Sequence, residues 1–307
     1  MTMIKRIRIG TRSSTLALWQ ANFIKKKIER HFPAIQLSLK HINTQGDIDQ
    51  ASSLTEVGGQ GIFTKSIEKA LIENKIDLAV HSLKDLPTEM SLSLAVSAVP
   101  ERGSIYDVFI GFKESDFTKL SPGATIACGS IRRRAQLLAL RPDLNFVDLR
   151  GNIETRLRKL KQNQYDGIIM AEAALIRLDL KETPFYRFTS EQMLPAVSQG
   201  AIGVQTRIRD LHLEPVLKKL NDPDTYLCVS AERAFLHRLG SGCQFPVAAN
   251  AIIVENELFL SGLVASNDGK KILKGTSSGV DMNAQQIGIT LAEKLIVQGA
   301  DNLLKGE

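Results

Sequence analysis

The sequence predicts an α/β protein with two similar lobes and a small α+β domain after them. Short apolar runs alternate with helical patterns through most of the chain, the order expected of strand–helix–strand units with parallel-rich sheets. Two breaks bracket the middle of the chain. One is Pro100-Glu101-Arg102-Gly103, and the other is the crossover-like run Leu194 to Val204, which returns the chain toward the first lobe. Past these, three strand-like runs with short polar connections and a closing amphipathic helix make a separate pattern. The expected division is residues 1–100 with 201–218, then 101–200 with hinge segments at its ends, then 219–307.

Length and composition agree. The chain has 307 residues, room for two or three domains of about 100–150 residues each. Lys and Arg number 39 against 33 Asp and Glu, so the chain carries +6 and favours anionic partners. The three cysteines, Cys128, Cys228 and Cys243, are odd in number and widely spaced, which argues against a disulfide framework and suits a reducing cytoplasm. Met1 to Arg6 shows no apolar signal region, and no run approaches the ~18 apolar residues of a membrane span. The five histidines show no metal-ligand spacing, so no metal is expected.

In the first lobe, Arg6 to Gly10 reads as a strand. Ser13 and Ser14 then precede a helix bearing Leu16, Trp19, Phe23 and Ile24, so Arg12 stands beside a helix N-terminus. Leu37 to Ile42 is a second strand. A polar stretch from Thr44 to Gly61 reads as a mobile loop and has no phosphate-binding Gly-Lys-Ser/Thr. An amphipathic helix over Ile62 to Glu73 leads to Leu78-Ala79-Val80, a buried strand. That strand delivers Ser82, Lys84 and Asp85 to its end before Pro87 stops it. A solvated Lys84–Asp85 pair is the plain alternative.

The middle region gathers positive charge. Ala124 to Cys128, Asn145 to Leu149 and Gly167 to Met170 read as strands. Each runs through a polar or glycine junction into a helix bearing Arg132 and Arg133, then Arg156 and Arg158, then Arg177. Three readings stand: surface decoration, a nucleic-acid face, and a pocket for a small polyanion. Aromatics are 6% of the chain and the arginines lie at separate junctions, which favours the third, where guanidinium forks meet carboxylates. A two-lobed binding protein for a polyanionic small molecule is the non-enzymatic alternative.

In the last region Asp222-Pro223 starts a helix running to about Leu239. Strands follow at Val247 to Val254, Leu258 to Val264 and Lys271 to Thr276, with a helix over Ala284 to Val297. Cys228 lies among apolar neighbours and reads as core, and Cys128 is open between core and site. Cys243, in a glycine-rich loop, reads as a nucleophile or attachment point.

Taken in order, several motifs resemble the porphobilinogen deaminase (hydroxymethylbilane synthase) family over nearly the whole chain. They are Gly10-Thr11-Arg12-Ser13, His81-Ser82-Leu83-Lys84-Asp85-Leu86-Pro87-Thr88, Ser130-Ile131-Arg132-Arg133, Arg150-Gly151-Asn152, Gln199-Gly200-Ala201, Glu232-Arg233-Ala234-Phe235-Leu236 and Gly242-Cys243-Gln244. The resemblance implies a cytoplasmic, monomeric transferase of tetrapyrrole and heme biosynthesis, with lobes like type II periplasmic binding proteins and no nucleic-acid or membrane partner. It implies head-to-tail condensation of four porphobilinogen units with loss of ammonia, onto a dipyrromethane cofactor, and final hydrolysis to the linear tetrapyrrole. By the same resemblance Asp85 is catalytic and Cys243 carries the cofactor through a thioether. Ser82, Lys84, Ser130, Arg132, Arg133 and Arg150 hold the cofactor. Arg12, Ser14, Phe63, Arg156, Arg177, Gln199 and Gly200 bind substrate. The chain departs from the family pattern at Gln60, Cys128, Gly129, Ser198, Ser241 and Ala248, which bears on loop conformation and binding geometry.

Overall fold

Alternating apolar residues build the first sheet. A computed structural model describes residues 4–44, 64–162, 165–180, 183–208, 210–240, 245–280 and 283–305. The chain divides into two compact units, one up to Gly103 with Gly200–Tyr226, the other Ser104–Gln199 with Leu227 onward. In the first, strand β1 (Arg6–Thr11) points Ile7 and Ile9 at Ala21, Ile24 and Ile28 of helix α1 (Thr15–His31). Ser14 caps that helix by accepting the Ala17 N–H. β2 (Gln36–His41) and β3 (Leu78–Ser82) flank β1 in parallel. β10 (Ile202–Arg207) then lies antiparallel between β3 and β4 (Leu94–Ala98), for the order β2-β1-β3-β10-β4. The opposite face packs helix α2 (Lys65–Ile72), through Ile67 and Leu71, on Ile76, Ala79 and Leu94.

The second unit repeats the scheme. β6 (Thr125–Ala127) is parallel to β7 (Asn145–Val147) and β8 (Gly167–Ala171), while β5 (Asp107–Gly111) runs antiparallel between β8 and β9 (Tyr186–Arg187). The order is β7-β6-β8-β5-β9. Helices α3 (Ile131–Leu140), α4 (Ile153–Lys161) and α5 (Glu172–Arg177) follow β6, β7 and β8. Both sheets are thus mixed, with three parallel strands and then an antiparallel one in fourth place. That fourth strand is in each case the first strand the chain forms after crossing from the other region. β5 and β9 were not among the expected strands. Their apolar runs are short, and their pairing is made with residues far along the chain.

α6 (Glu214–Leu220) packs Val216 and Leu220 into the core shared by α1. α7 (Pro223–Arg238) starts as expected, with the Asp222 carboxylate accepting the Thr225 N–H at 2.8 Å. β11 (Val247–Val254), β12 (Glu257–Ala265) and β13 (Ile272–Val280) form an antiparallel meander, covered by α7, α8 (Ala284–Val297) and α9 (Ala300–Lys305) around Phe235, Leu260 and Leu291. β13 runs longer than its apolar pattern suggested, because its polar residues face water in alternation. At the β12–β13 turn a Cβ on Gly269 would fall 2.2 Å from the Ala135 carbonyl oxygen, so the meander sits tight on α3.

Buried polar residues stitch these elements together. Glu232, fully buried on α7, accepts the Ser198 N–H at 2.6 Å and the Ala251 N–H at 2.8 Å, holding the crossover to β11. His81 on β3 pairs through Nε2 with the Gln205 side-chain oxygen at 3.1 Å, and the Gln205 amide donates to Glu68 at 2.9 Å. With the Gln205 NH2 group given to Glu68, His81 is the donor in its bond. Burial pulls its imidazole down to about 4, against a smaller upward effect of Gln205, and the Arg12 charge adds to the fall. Ser198 takes a left-handed φ of 61°, and its buried Oγ has no hydrogen-bond partner among the described residues.

Two outcomes follow. Ser198→Gly should stabilise the protein by about 1 kcal/mol, because glycine adopts that φ without a Cβ clash. A differential scan should show a Tm about 1–2 °C higher, and no rise would refute the strain. His81 is neutral when folded, and the unfolded chain takes its proton first as pH falls below about 6.5. Stability present above that pH is therefore lost toward pH 4, by up to about 3 kcal/mol. Urea midpoints at pH 7.5 and 4.5 should converge in His81→Gln relative to the parent; an equal acid loss in both would clear His81 of the effect.

Candidate active site

Parallel strands end with backbone groups unpaired, and the helices that follow aim their N-termini at the same edge. In the first unit, β1 leads to Arg12 and the Ser14 cap of α1, and β3 leads to Ser82 and a one-turn 3-10 helix, Leu83–Asp85. Ser82 is held by Gln20 of α1 at 2.8 Å. Leu83 is buried and its N–H bonds to the Ala201 carbonyl, which seats the turn on the segment leading to β10. Lys84 is therefore half-buried while Asp85 stands exposed. Gly200, with φ 84°, accepts the Gly103 N–H beside this edge.

In the second unit the same edge carries more charge. Ser130 caps α3 by accepting the Arg133 N–H. Asn152 caps α4 by accepting the Thr155 N–H at 2.9 Å. Between β7 and α4, Gly151 has φ 108°, where an added Cβ would meet Thr155 at 2.7 Å, so this junction needs glycine. Its carbonyl takes Arg156 Nε at 2.8 Å, and Arg150 beside it is half-buried. Arg177 ends α5, where desolvation pushes its guanidinium down to about 10. An arriving anion would offset that desolvation.

Arg132 and Arg133 lie on the first turn of α3. Both are buried, at 5% and 7% exposure, and both bind Asp107, the first residue of β5. Gln199 joins them, donating to Asp107 at 3.0 Å and to the Ile105 carbonyl at 2.7 Å. Asp107 was missed in the sequence. The one signal was an aspartate opening the apolar run Val108-Phe109-Ile110, which does not name its partners. Cys128 is buried core, its thiol pushed up by burial and drawn back less by Arg133.

The structure thus gathers Arg12, Ser14, Ser82, Lys84 and Asp85 at one sheet edge of the first unit. It gathers Arg132, Arg133 and Gln199 around Asp107 in the second, with Ser130 capping the same helix and Arg150, Arg156 and Arg177 on neighbouring junctions. Phe63 and Cys243 lie outside the described residues, as do Gln60 and Ser241. Among the described residues there is no cluster of three or more metal-ligating side chains, and no helix long and apolar enough to cross a membrane.

Residues 7–215 match the family model described as porphobilinogen deaminase, dipyromethane cofactor binding domain, and residues 226–297 match the porphobilinogen deaminase C-terminal domain. A protein named porphobilinogen deaminase from Chloroherpeton thalassium is 42% identical over 306 residues, covering 98% of both chains. Its namesake from Syntrophotalea carbinolica is 43% identical, over 97% of this chain and 95% of that one. Among solved structures, the methionine-binding protein MetQ aligns with a TM-score of 0.43 and 13% identity over 72% of this chain and 90% of that one, too slight a likeness to bear on function. Two family models that together span nearly the whole chain, and relatives matched end to end, lead to one conclusion: the chain belongs to the porphobilinogen deaminase family.

Proposed function

We propose that this chain carries out the family's reaction, joining porphobilinogen units head to tail with loss of ammonia and releasing a linear tetrapyrrole by hydrolysis, with Asp85 as the catalytic carboxylate. The match to both domains of the family carries this reading. The described residues also fit a cofactor rich in carboxylates. Two buried guanidiniums face a single carboxylate, and Ser130 and Asn152 cap helix N-termini at the same sheet edge. When bound, the cofactor supplies the pyrrole end from which the chain grows. In this reading Cys243 anchors it through a thioether, and Ser82, Lys84, Ser130, Arg132, Arg133 and Arg150 hold it. Arg12, Ser14, Phe63, Arg156, Arg177, Gln199 and Gly200 take the substrate.

Each pyrrole ring brings an acetate and a propionate, so each added unit brings two carboxylates for arginine forks to receive. The ring also turns cationic as it loses ammonia. Asp85 lies on a turn seated by buried Leu83 and Leu86, a fixed platform for a carboxylate that stabilises that cation electrostatically. At about 4 Å and an effective dielectric of ~20, one charge pair contributes roughly 4 kcal/mol before desolvation. The same proposal makes the protein a cytoplasmic monomer without nucleic-acid or membrane partners, in three domains: 1–100 with 201–218, 101–200 and 219–307. A two-lobed polyanion-binding protein would share the sheet edges but has no use for Asp85 or Cys243.

Asp85→Asn keeps the shape and loses the charge. Turnover of porphobilinogen should fall by at least about a hundredfold, and near-parental rates would end the assigned role. Intact mass under denaturing, reducing conditions should show a dipyrrole adduct that maps to the Cys243 peptide. Protein that stays unmodified after incubation with porphobilinogen would turn the reading toward the binding protein. Arg150→Leu should take up pyrrole units at least tenfold more slowly in the same mass assay, and unchanged uptake would remove Arg150 from the carboxylate cradle.

A further inference from the structure

Consecutive residues on a helix project about 100° apart, so Arg132 and Arg133 on the first turn of α3 have no intrinsic reason to converge. Asp107 brings them together. Its Oδ2 accepts Arg132 Nη2 at 2.8 Å, and its Oδ1 accepts Arg133 Nη2 at 2.7 Å and Nε at 2.9 Å. The outer ends are pinned as well, Arg132 Nη1 by the Leu194 carbonyl at 2.7 Å and Arg133 Nη1 by the Ile169 carbonyl at 3.2 Å. Gln199 supplies a further donor to Oδ1 at 3.0 Å.

The position of Asp107 follows from strand direction. β5 is antiparallel, and Asp107 pairs with Ala171, the last residue of β8. The start of β5 therefore lies at the edge where β6 and β8 end, beside the Ser130 cap. A parallel strand in this place would carry its first residue to the opposite edge.

Charge separates this cluster from an ordinary core ion pair. Two guanidiniums and one carboxylate sum to +1, in side chains at most 8% exposed. Buried ion pairs are poor stabilisers even when balanced, and an excess buried charge adds a cost that folding alone does not repay. A carboxylate ligand at this edge would neutralise it.

We propose that Asp107 is a positioning residue: it turns two adjacent arginines to one place, cancels one of their charges, and leaves the other to a carboxylate of the pyrrole ligand. This rests on the reading that Arg132 and Arg133 receive pyrrole carboxylates. Asp107 itself touches no reacting atom. Its function is to set the rotamers and the net charge before the ligand arrives.

The test uses cofactor-free full-length protein as parent, Asp107→Asn and Arg132→Gln, incubated with porphobilinogen and followed by intact mass. Asp107→Asn puts an amide in place of the carboxylate that gathers the donors. Half-maximal uptake should need at least tenfold more porphobilinogen, while the rate at saturation changes less than threefold. A purely structural role would lower the folded fraction and leave that concentration unmoved. Parental concentration dependence in Asp107→Asn, with impaired Arg132→Gln, overturns the proposal alone. Parental uptake by Arg132→Gln overturns the reading beneath it. If Asp107→Asn does not fold, hydrogen exchange at arginine Nε–H groups in the cofactor-free parent decides. Arg133 Nε–H should already be protected at least tenfold relative to an exposed arginine, and protection that appears only after uptake refutes prior positioning.

Discussion

A carboxylate at the first position of β5 holds two guanidiniums out of water, and the sheet, helix α3 and the returning crossover all meet at it. Burial makes this contact demanding. A guanidinium without its partner would be an uncompensated charge in a low-dielectric interior, so the three side chains constrain one another and the backbone that carries them. β5 must pair antiparallel with β8, α3 must begin at Ser130, and Gln199 must arrive from the crossover. Each of these is observed, and each brings a residue to the same edge of the sheet.

The two lobes solve a similar problem with different side chains. In both, three parallel strands end at one edge and a fourth, antiparallel strand comes from the segment that crosses between regions. The second lobe fills its edge with arginines and capped helix N-termini, which suits carboxylates. The first lobe presents Asp85 exposed beside half-buried Lys84 just past Ser82 at the end of β3, with Arg12 at the neighbouring end of β1. A growing pyrrole chain is anionic at its side chains and turns cationic at the ring losing ammonia, so chemistry of this kind asks for both signs.

Two residues near these edges are held in constrained states. One residue before Gln199, Ser198 adopts a left-handed φ, and its buried hydroxyl has no partner among the described residues. His81 is kept neutral in the core immediately before Ser82, with its Nε2 proton given to Gln205. Both sit where the backbone turns toward candidate site residues. Local strain and suppressed ionisation are tolerated there because the surrounding core over-determines the conformation.

Local chemistry was legible in the chain. The Asp222-Pro223 start of α7, the span of α8, the strands of the C-terminal meander, the burial of Cys228 and the delivery of Ser82, Lys84 and Asp85 to a strand end all follow from periodicity, capping and turn residues within a few positions of each other. The ordered motifs carried the family because their residue types recur at set places in the sequence. Long-range pairing was decided only by the tertiary structure. Asp107 meets Arg132 and Arg133 across 25 and 26 residues, and Gln199 across 92, while β5 and β10 take their places by pairing with strands distant in sequence. Sequence pattern records which side chains a segment can bury. It does not record which distant partner neutralises a buried charge, because that depends on strand order and direction, and these exist only once the sheet has formed.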